Sequence, residues 1–153
     1  MSQLIQQLRQ HLPETKVITD ELRLLAYGTD ASFYRLTPQV IAVIESESEL
    51  QAVLETAQQT GTPVTFRAAG TSLSGQAITD GILALIGEGF ATCDINADAS
   101  QVKVGPGIIG GEVNRRLAPF GKKIGPDPAS INACKIGGIA ANNASGMCCG
   151  TAQ

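Results

Sequence analysis

Apolar positions at helical spacing open the chain. Leu4, Ile5, Leu8 and Leu12 fall on one face of residues 3–12, and Pro13 closes the segment. Thr19 is placed to cap a second short helix running through Leu25 and ending near Gly28. The next residues, TDASFYRLTP, have no period and read as a connecting loop. From Gln39 the pattern sharpens, with Val40 to Ile44 a strand-like apolar run. Ser46 or Ser48 can cap the following helix, and Ser46 with Glu49 has the spacing of a reciprocal cap. Leu50, Val53, Leu54 and Ala57 are expected on that helix's inner face, and Gly61 stops it. Pro63 to Phe66 reads as the next strand and Ile82 to Ile86 as a third, so residues 40–66 form a β–α–β unit.

A second part begins near Phe90. Ala91–Ile95 and Gln101–Val104 bracket NADA as the arms of a hairpin, and Gly110 to Leu117 is helical with Val113 and Leu117 on one face. The pattern divides the chain into an N-terminal helical segment (1–34), a first subdomain (35–89) and the start of a second (90–153). The fold class is α+β.

Composition narrows the classes. The chain has 153 residues, 43% of them hydrophobic and 16% charged, as expected of a globular domain with a real core. A net charge of -3, with no basic run longer than Arg115-Arg116 or Lys122-Lys123, gives nucleic-acid binding little support. The apolar runs VIAVI and ILALI are too short to cross a bilayer, and no signal-peptide pattern opens the sequence. A cytoplasmic location follows as the expectation, with any membrane contact peripheral. The four cysteines, Cys93, Cys134, Cys148 and Cys149, form no CxxC pair, and the one histidine is the distant His11. A metal site is not expected, and reduced thiols filling small spaces are.

Candidate chemistry sits in two small-residue segments. Arg67 to Gln76, RAAGTSLSGQ, follows the strand PVTF: glycines permit close backbone approach, Thr71, Ser72 and Ser74 carry hydroxyls, and Arg67 carries charge. Such a turn suits a phosphate or pyrophosphate. It lacks triphosphate-hydrolysing equipment, because Gln76 and Ala77 stand where Lys and Ser/Thr would be needed after Gly75. An ordinary surface turn is the alternative. The run GGIAANNASG is chemically similar, and together they suggest two walls of one ligand site; a tightly packed helix–loop corner is the competing reading. A third segment, Gly105 to Gly110, matches G-x-G-x-x-G, with Asp127 17 positions beyond it. Its preceding strand is the second arm of a hairpin and Asp127 lies in the turn GPDP, so an NAD-dependent Rossmann-type dehydrogenase stands only as the alternative.

RAAGTSLSG, GPDPASINACKIGGIAANNASG and the upstream DASFYRLTPQVIAVIESESELQAVLETA together resemble the FAD-linked oxidases and dehydrogenases of the vanillyl-alcohol-oxidase type, with a PCMH-type FAD-binding domain. The nearest branch is that of the D-lactate, glycolate and D-2-hydroxyglutarate dehydrogenases. The resemblance implies a first FAD-binding subdomain followed by an incomplete second. It implies that Arg67, Ala69, Gly70, Thr71, Ser72, Leu73, Ser74, Gly75 and Gln76 wrap the FAD pyrophosphate. Gly137, Gly138, Ala141, Asn142, Asn143, Ser145 and Gly146 would line the other side, with Pro126, Asp127 and Ser130 nearby.

The first turn contains no histidine, so the resemblance implies non-covalent FAD. The implied activity of the full-length parent is oxidation of a D-2-hydroxy acid to its 2-oxo acid, with an electron acceptor that is not specified. No residue here is a persuasive base, so no catalytic residue is assigned. The chain is expected to be the N-terminal piece of a longer protein whose substrate cap follows, with an iron–sulfur portion later still in some large members. Alone it is expected to be inactive, a non-catalytic fragment or interaction module being the alternative. Its unfinished second subdomain predicts self-association through exposed sheet edges.

Overall fold

A computed structural model of the chain describes residues 2–146. Two compact units, Met1–Gly87 and Glu88–Gln153, divide it.

The first unit is built on a four-stranded sheet. Its elements are α1 (Gln3–His11), β1 (Val17–Ile18), α2 (Glu21–Tyr27), β2 (Val40–Ile44), α3 (Glu47–Thr60), β3 (Val64–Arg67) and β4 (Ile82–Ile86). The strand order is β1-β2-β4-β3, with β1 antiparallel to β2, and β4 parallel to both its neighbours. Residues before Gly28 are therefore built into this unit, through β1 and through α1 packing on α3. β2 is nearly all apolar because it is central: Val40, Ile41, Ala42 and Ile44 are fully buried. Ile18, Ile41 and Leu83 form one cluster, against which Leu24 and Tyr27 of α2 and Val43 and Leu85 of the sheet pack.

Local chemistry starts and stops the helices. Asp20, not Thr19, caps α2, its carboxylate accepting the Arg23 N–H at 3.0 Å. A carboxylate one residue nearer the first turn accepts that N–H and also bonds the Arg23 side chain, which a threonine cannot match. Ser46 caps α3, accepting from the Glu49 N–H at 3.2 Å, while Glu49 Oε2 accepts from the Glu45 N–H at 2.7 Å. Lys16 Nζ joins this start by pairing with Glu45 and Glu49 at 2.7 and 2.6 Å. Burial pushes the Glu49 carboxyl up, but the Lys16 bond, the Glu45 N–H and the Lys16 charge outweigh it and hold it below its ordinary value. On α3 the buried residues are Val53, Thr56 and Ala57. Leu54 is exposed, because the buried stripe of α3 is narrower than its apolar pattern.

β2 and β3 are not neighbours. β4 lies between them, so the connection from β3 to β4 is itself a crossover between adjacent parallel strands. Such a crossover is usually helical. Here residues 68–81 make it with no helix or strand.

The second unit holds a hairpin, β5 (Cys93–Ile95) with β6 (Val102–Val104), then α4 (Gly110–Leu117) and α5 (Ile136–Ala141). Ile108, Val113 and Leu117 form its core with both arms of the hairpin, Ile124 and Ile136 packed around them. The hairpin turn is tied by the Asn96 side chain, whose Oδ1 accepts from the Gln101 N–H at 2.9 Å. Among the described residues no helix is long and apolar enough to cross a membrane.

Candidate functional site

The crossover 68–81 is the first segment singled out by the sequence. Gly70 and Gly75 both sit at φ +71°, a left-handed conformation that favours glycine over residues with a Cβ. Ser72 organises the turn between them. Its Oγ accepts from the N–H groups of Ser74 and Gln76 at 3.1 and 3.2 Å and donates to Gln76 Oε1 at 3.1 Å. The Ser72 hydroxyl is thus engaged inside the turn, which leaves those of Thr71 and Ser74 as the candidate donors.

The loop before β2 secures the same segment. Ala31 N–H donates to Gly70 O at 3.0 Å, and Ala77 N–H donates to Asp30 Oδ2 at 3.3 Å. Asp30 Oδ1 accepts from the Ser32 N–H at 2.9 Å. A Cβ on Gly75 would lie 3.0 Å from the Tyr34 ring. Burial raises the Asp30 carboxyl, but the Ser32 and Ala77 N–H groups and the Arg67 charge prevail and hold it below its ordinary value.

Arg67, at the end of β3, is half-buried. Its Nη1 donates to the carbonyls of Thr29 at 2.7 Å, Tyr27 at 3.2 Å and Ala77 at 3.4 Å, and its Cζ lies 5.3 Å from the centre of the Tyr27 ring. Burial pushes its pKa down, against the opposing charge of Asp30. The space beside Gly70 is occupied by this guanidinium.

What the turn does not bond is equally informative. Among the described residues, the N–H groups of Ala69, Gly70, Thr71, Ser72, Leu73 and Gly75 have no hydrogen-bond partner. Leu73, Ser74 and Gln76 are exposed and the others half-buried. Backbone donors held in a fixed turn without acceptors are the donor set that a dianionic pyrophosphate requires. The residues present fit that group.

The second segment is built differently. Its N–H groups as far as Ala144 are engaged: Gly137 donates to Pro106 O at 2.9 Å, Gly138 and Ile139 to Lys135 O, Asn142 to Gly138 O and Ala144 to Ile139 O. Gly137 has no Cβ because Pro106 Cβ would be 2.9 Å away, and Gly146 lies directly against the Asp127 backbone. Its polar offer is in side chains. Asn142, Asn143 and Ser145 are exposed, as are Gly138 and Ala141, and Asn143 takes φ +45°. Pro126, Asp127 and Ser130 lie half-buried in the preceding loop, where Ser130 O accepts from Ala133 and Cys134 N–H groups and Asp127 pairs with Lys123 at 3.6 Å.

The G-x-G-x-x-G segment has no dinucleotide context. β6 before it is antiparallel to β5, Gly105 abuts Phe90 O and the Thr92 hydroxyl, and Gly110 faces the Ile131 and Ile139 side chains. Its glycines make room for the chain itself. A cleft of about 540 Å³ lies beside it in the second unit, lined by Ile109, Glu112, Arg115, Arg116 and Lys135 among others, but Glu112 already pairs with both arginines. Of the cysteines, Cys134 is buried and Cys93 half-buried, while Cys148 and Cys149 lie outside the described residues. Among the described residues no group of three or more His, Cys, Asp or Glu side chains is placed to hold a metal.

The fold is that of PCMH-type flavoproteins. The chain superposes on alkyldihydroxyacetonephosphate synthase with a TM-score of 0.78 at 16% identity, covering 94% of this chain and 29% of that one. On p-cresol methylhydroxylase the TM-score is 0.75 at 13% identity, covering 92% and 29%. The family model described as "FAD binding domain" matches residues 38–153, and the chain belongs to that family. The glycolate oxidase subunit GlcD of Escherichia coli K12 is 32% identical over 145 residues, 93% of this chain and 29% of that protein. The D-2-hydroxyglutarate dehydrogenase of the same strain is 29% identical over 127 residues, 80% of this chain and 12% of that protein. The chain therefore spans under a third of the length of these relatives. FAD is the cofactor of the family to which it belongs.

Proposed function

We propose that this chain is the FAD-holding part of a flavin-dependent dehydrogenase that oxidises a D-2-hydroxy acid, such as glycolate, D-lactate or D-2-hydroxyglutarate, to the 2-oxo acid. The observation that carries the reading is the run of backbone donors at Ala69–Leu73 and Gly75 that have no acceptor among the described residues. Donors already fixed in place meet a pyrophosphate without the cost of ordering them on binding. The Thr71 and Ser74 hydroxyls and the Gln76 amide add side-chain donors at the same turn. Exposed Asn142, Asn143 and Ser145 offer amide and hydroxyl groups to polar parts of the cofactor, with Gly137, Gly138, Ala141 and Gly146 in the same segment. When bound, FAD supplies the acceptor for the substrate's Cα hydride. With no histidine in the turn, the flavin is held non-covalently. The substrate class is supported by the relatives named for glycolate and D-2-hydroxyglutarate.

The test has two levels. FAD titrated into the chain should bind, and should be released on denaturation; retention after denaturation would refute the non-covalent reading. The full-length protein should be yellow and bleach anaerobically with a D-2-hydroxy acid. A colourless protein with no affinity for FAD would overturn the proposal.

A further inference from the structure

We propose that Arg67 is a positioning residue for the turn and not a ligand of the phosphates. This rests on the reading of 69–76 as the pyrophosphate site and says how that site is kept in shape. A guanidinium offered to an anion should have its donors turned outward. Here Nη1 is committed to three carbonyls: Tyr27 and Thr29, which end α2 and begin the next loop, and Ala77, which lies past the far end of the turn, while Nε and Nη2 lie against Gly70. Arg67 itself starts the crossover. One side chain thus joins the beginning of the crossover, its far end and the loop that leads to Asp30.

Three further observations agree. Asp30, whose charge faces the guanidinium, holds the same far end through the Ala77 N–H. Tyr27 contributes both its carbonyl and its ring. Gly70 lacks a Cβ where the guanidinium passes, so the glycine that looked reserved for a ligand is in contact with Arg67. Carbonyls held inward by this one nitrogen leave the turn in the conformation in which the Ala69–Leu73 and Gly75 N–H groups have no acceptor among the described residues. A lysine at 67 would carry a compact ammonium in place of the planar group that lies against Gly70 and faces the Tyr27 ring, so it cannot reproduce these contacts.

The experiment compares wild type, Arg67→Lys and Gly70→Ala in the intact chain. Amide hydrogen exchange needs no ligand: the Ala31 and Ala77 N–H groups should exchange at least about tenfold faster in Arg67→Lys, while amides of β2 and β4 keep their protection. Gly70→Ala displaces the guanidinium without altering residue 67, and should loosen the same two amides. It carries the test if Arg67→Lys does not fold. Unchanged exchange at Ala31 and Ala77 would overturn the proposal. In FAD titrations Arg67→Lys should weaken binding at least about tenfold while leaving its dependence on potassium chloride unaltered. Lysine restoring affinity, or a flattened salt dependence in Arg67→Gln, would instead put the guanidinium on the phosphates and refute the clasp. If the wild-type chain binds no FAD, the cofactor reading falls while hydrogen exchange still decides on the clasp.

Discussion

Two segments, 67–76 and 137–146, are nearly synonymous in composition and opposite in construction. In the first, two glycines adopt left-handed backbone and a run of N–H groups lacks acceptors among the described residues. In the second, Gly137 and Gly146 abut Pro106 and Asp127, and the N–H groups from Gly137 to Ala144 are engaged along and around a six-residue helix. The difference teaches that small residues announce close approach without saying what approaches. In both, glycines lie against the chain itself, but only the first leaves a long run of backbone donors open to a ligand.

That contrast can be broken by substitution. The largest effect is expected from Gly146→Ala, because the new Cβ would meet the Asp127 backbone, which has no flexible end to yield. A loss of about 3 kcal/mol in denaturant unfolding is expected, the upper part of the range for overpacking. Wild-type stability in that variant would mean the segment is looser than its contacts indicate. Gly75→Val should act on binding instead: a β-branched residue at φ +71° pressed on Tyr34 costs about 2 kcal/mol locally, or roughly 30-fold in FAD affinity. Equal losses of global stability and affinity would erase the distinction between the two segments. Ser72→Ala removes the hub of the first turn and should cost about 1 kcal/mol, read as weaker FAD binding with little change in the melting of the sheet.

The smallest effect is with pH. Asp30 is held below its ordinary value of 3.8, so the order it contributes is complete above that pH and fades as pH falls through the lower folded value. Exchange at the Ala77 amide should therefore accelerate in acid in the wild type, beyond the intrinsic trend. In Asp30→Asn it should be fast at all pH values and show no such step. A step that survives in the variant would assign it to another carboxylate.

Much of the scaffold was legible because it rests on local rules. β2 and β4 are apolar runs, Ser46 caps α3 and Gly61 ends it, and NADA joins two arms at hairpin spacing. What escaped is mostly long-range. Nothing near β3 says that β4 will insert between it and β2. The exposure of Leu54 depends on how wide a stripe α3 buries, and the cap of α2 on which of two adjacent polar residues reaches Arg23. For the site, the turn could be located from its glycines, but the three carbonyls around Arg67 are up to 40 positions away in sequence. A charge in a glycine-rich turn reads as bait for an anion, and the carbonyls around it are visible only in the fold.

The bare crossover between β3 and β4 carries a thermodynamic consequence. A helix in that place would satisfy its amides with its own carbonyls, and the connection would be finished when the chain folded. Residues 68–81 leave the account of hydrogen bonds open, so whatever accepts from them completes the tertiary structure as an external element. On the proposed reading, in which that acceptor is FAD, cofactor concentration becomes a variable of folding, with a stabilisation of about 2.7 kcal/mol at one hundred times the dissociation constant. The turn, in that sense, is a stretch of secondary structure whose second half arrives from solution.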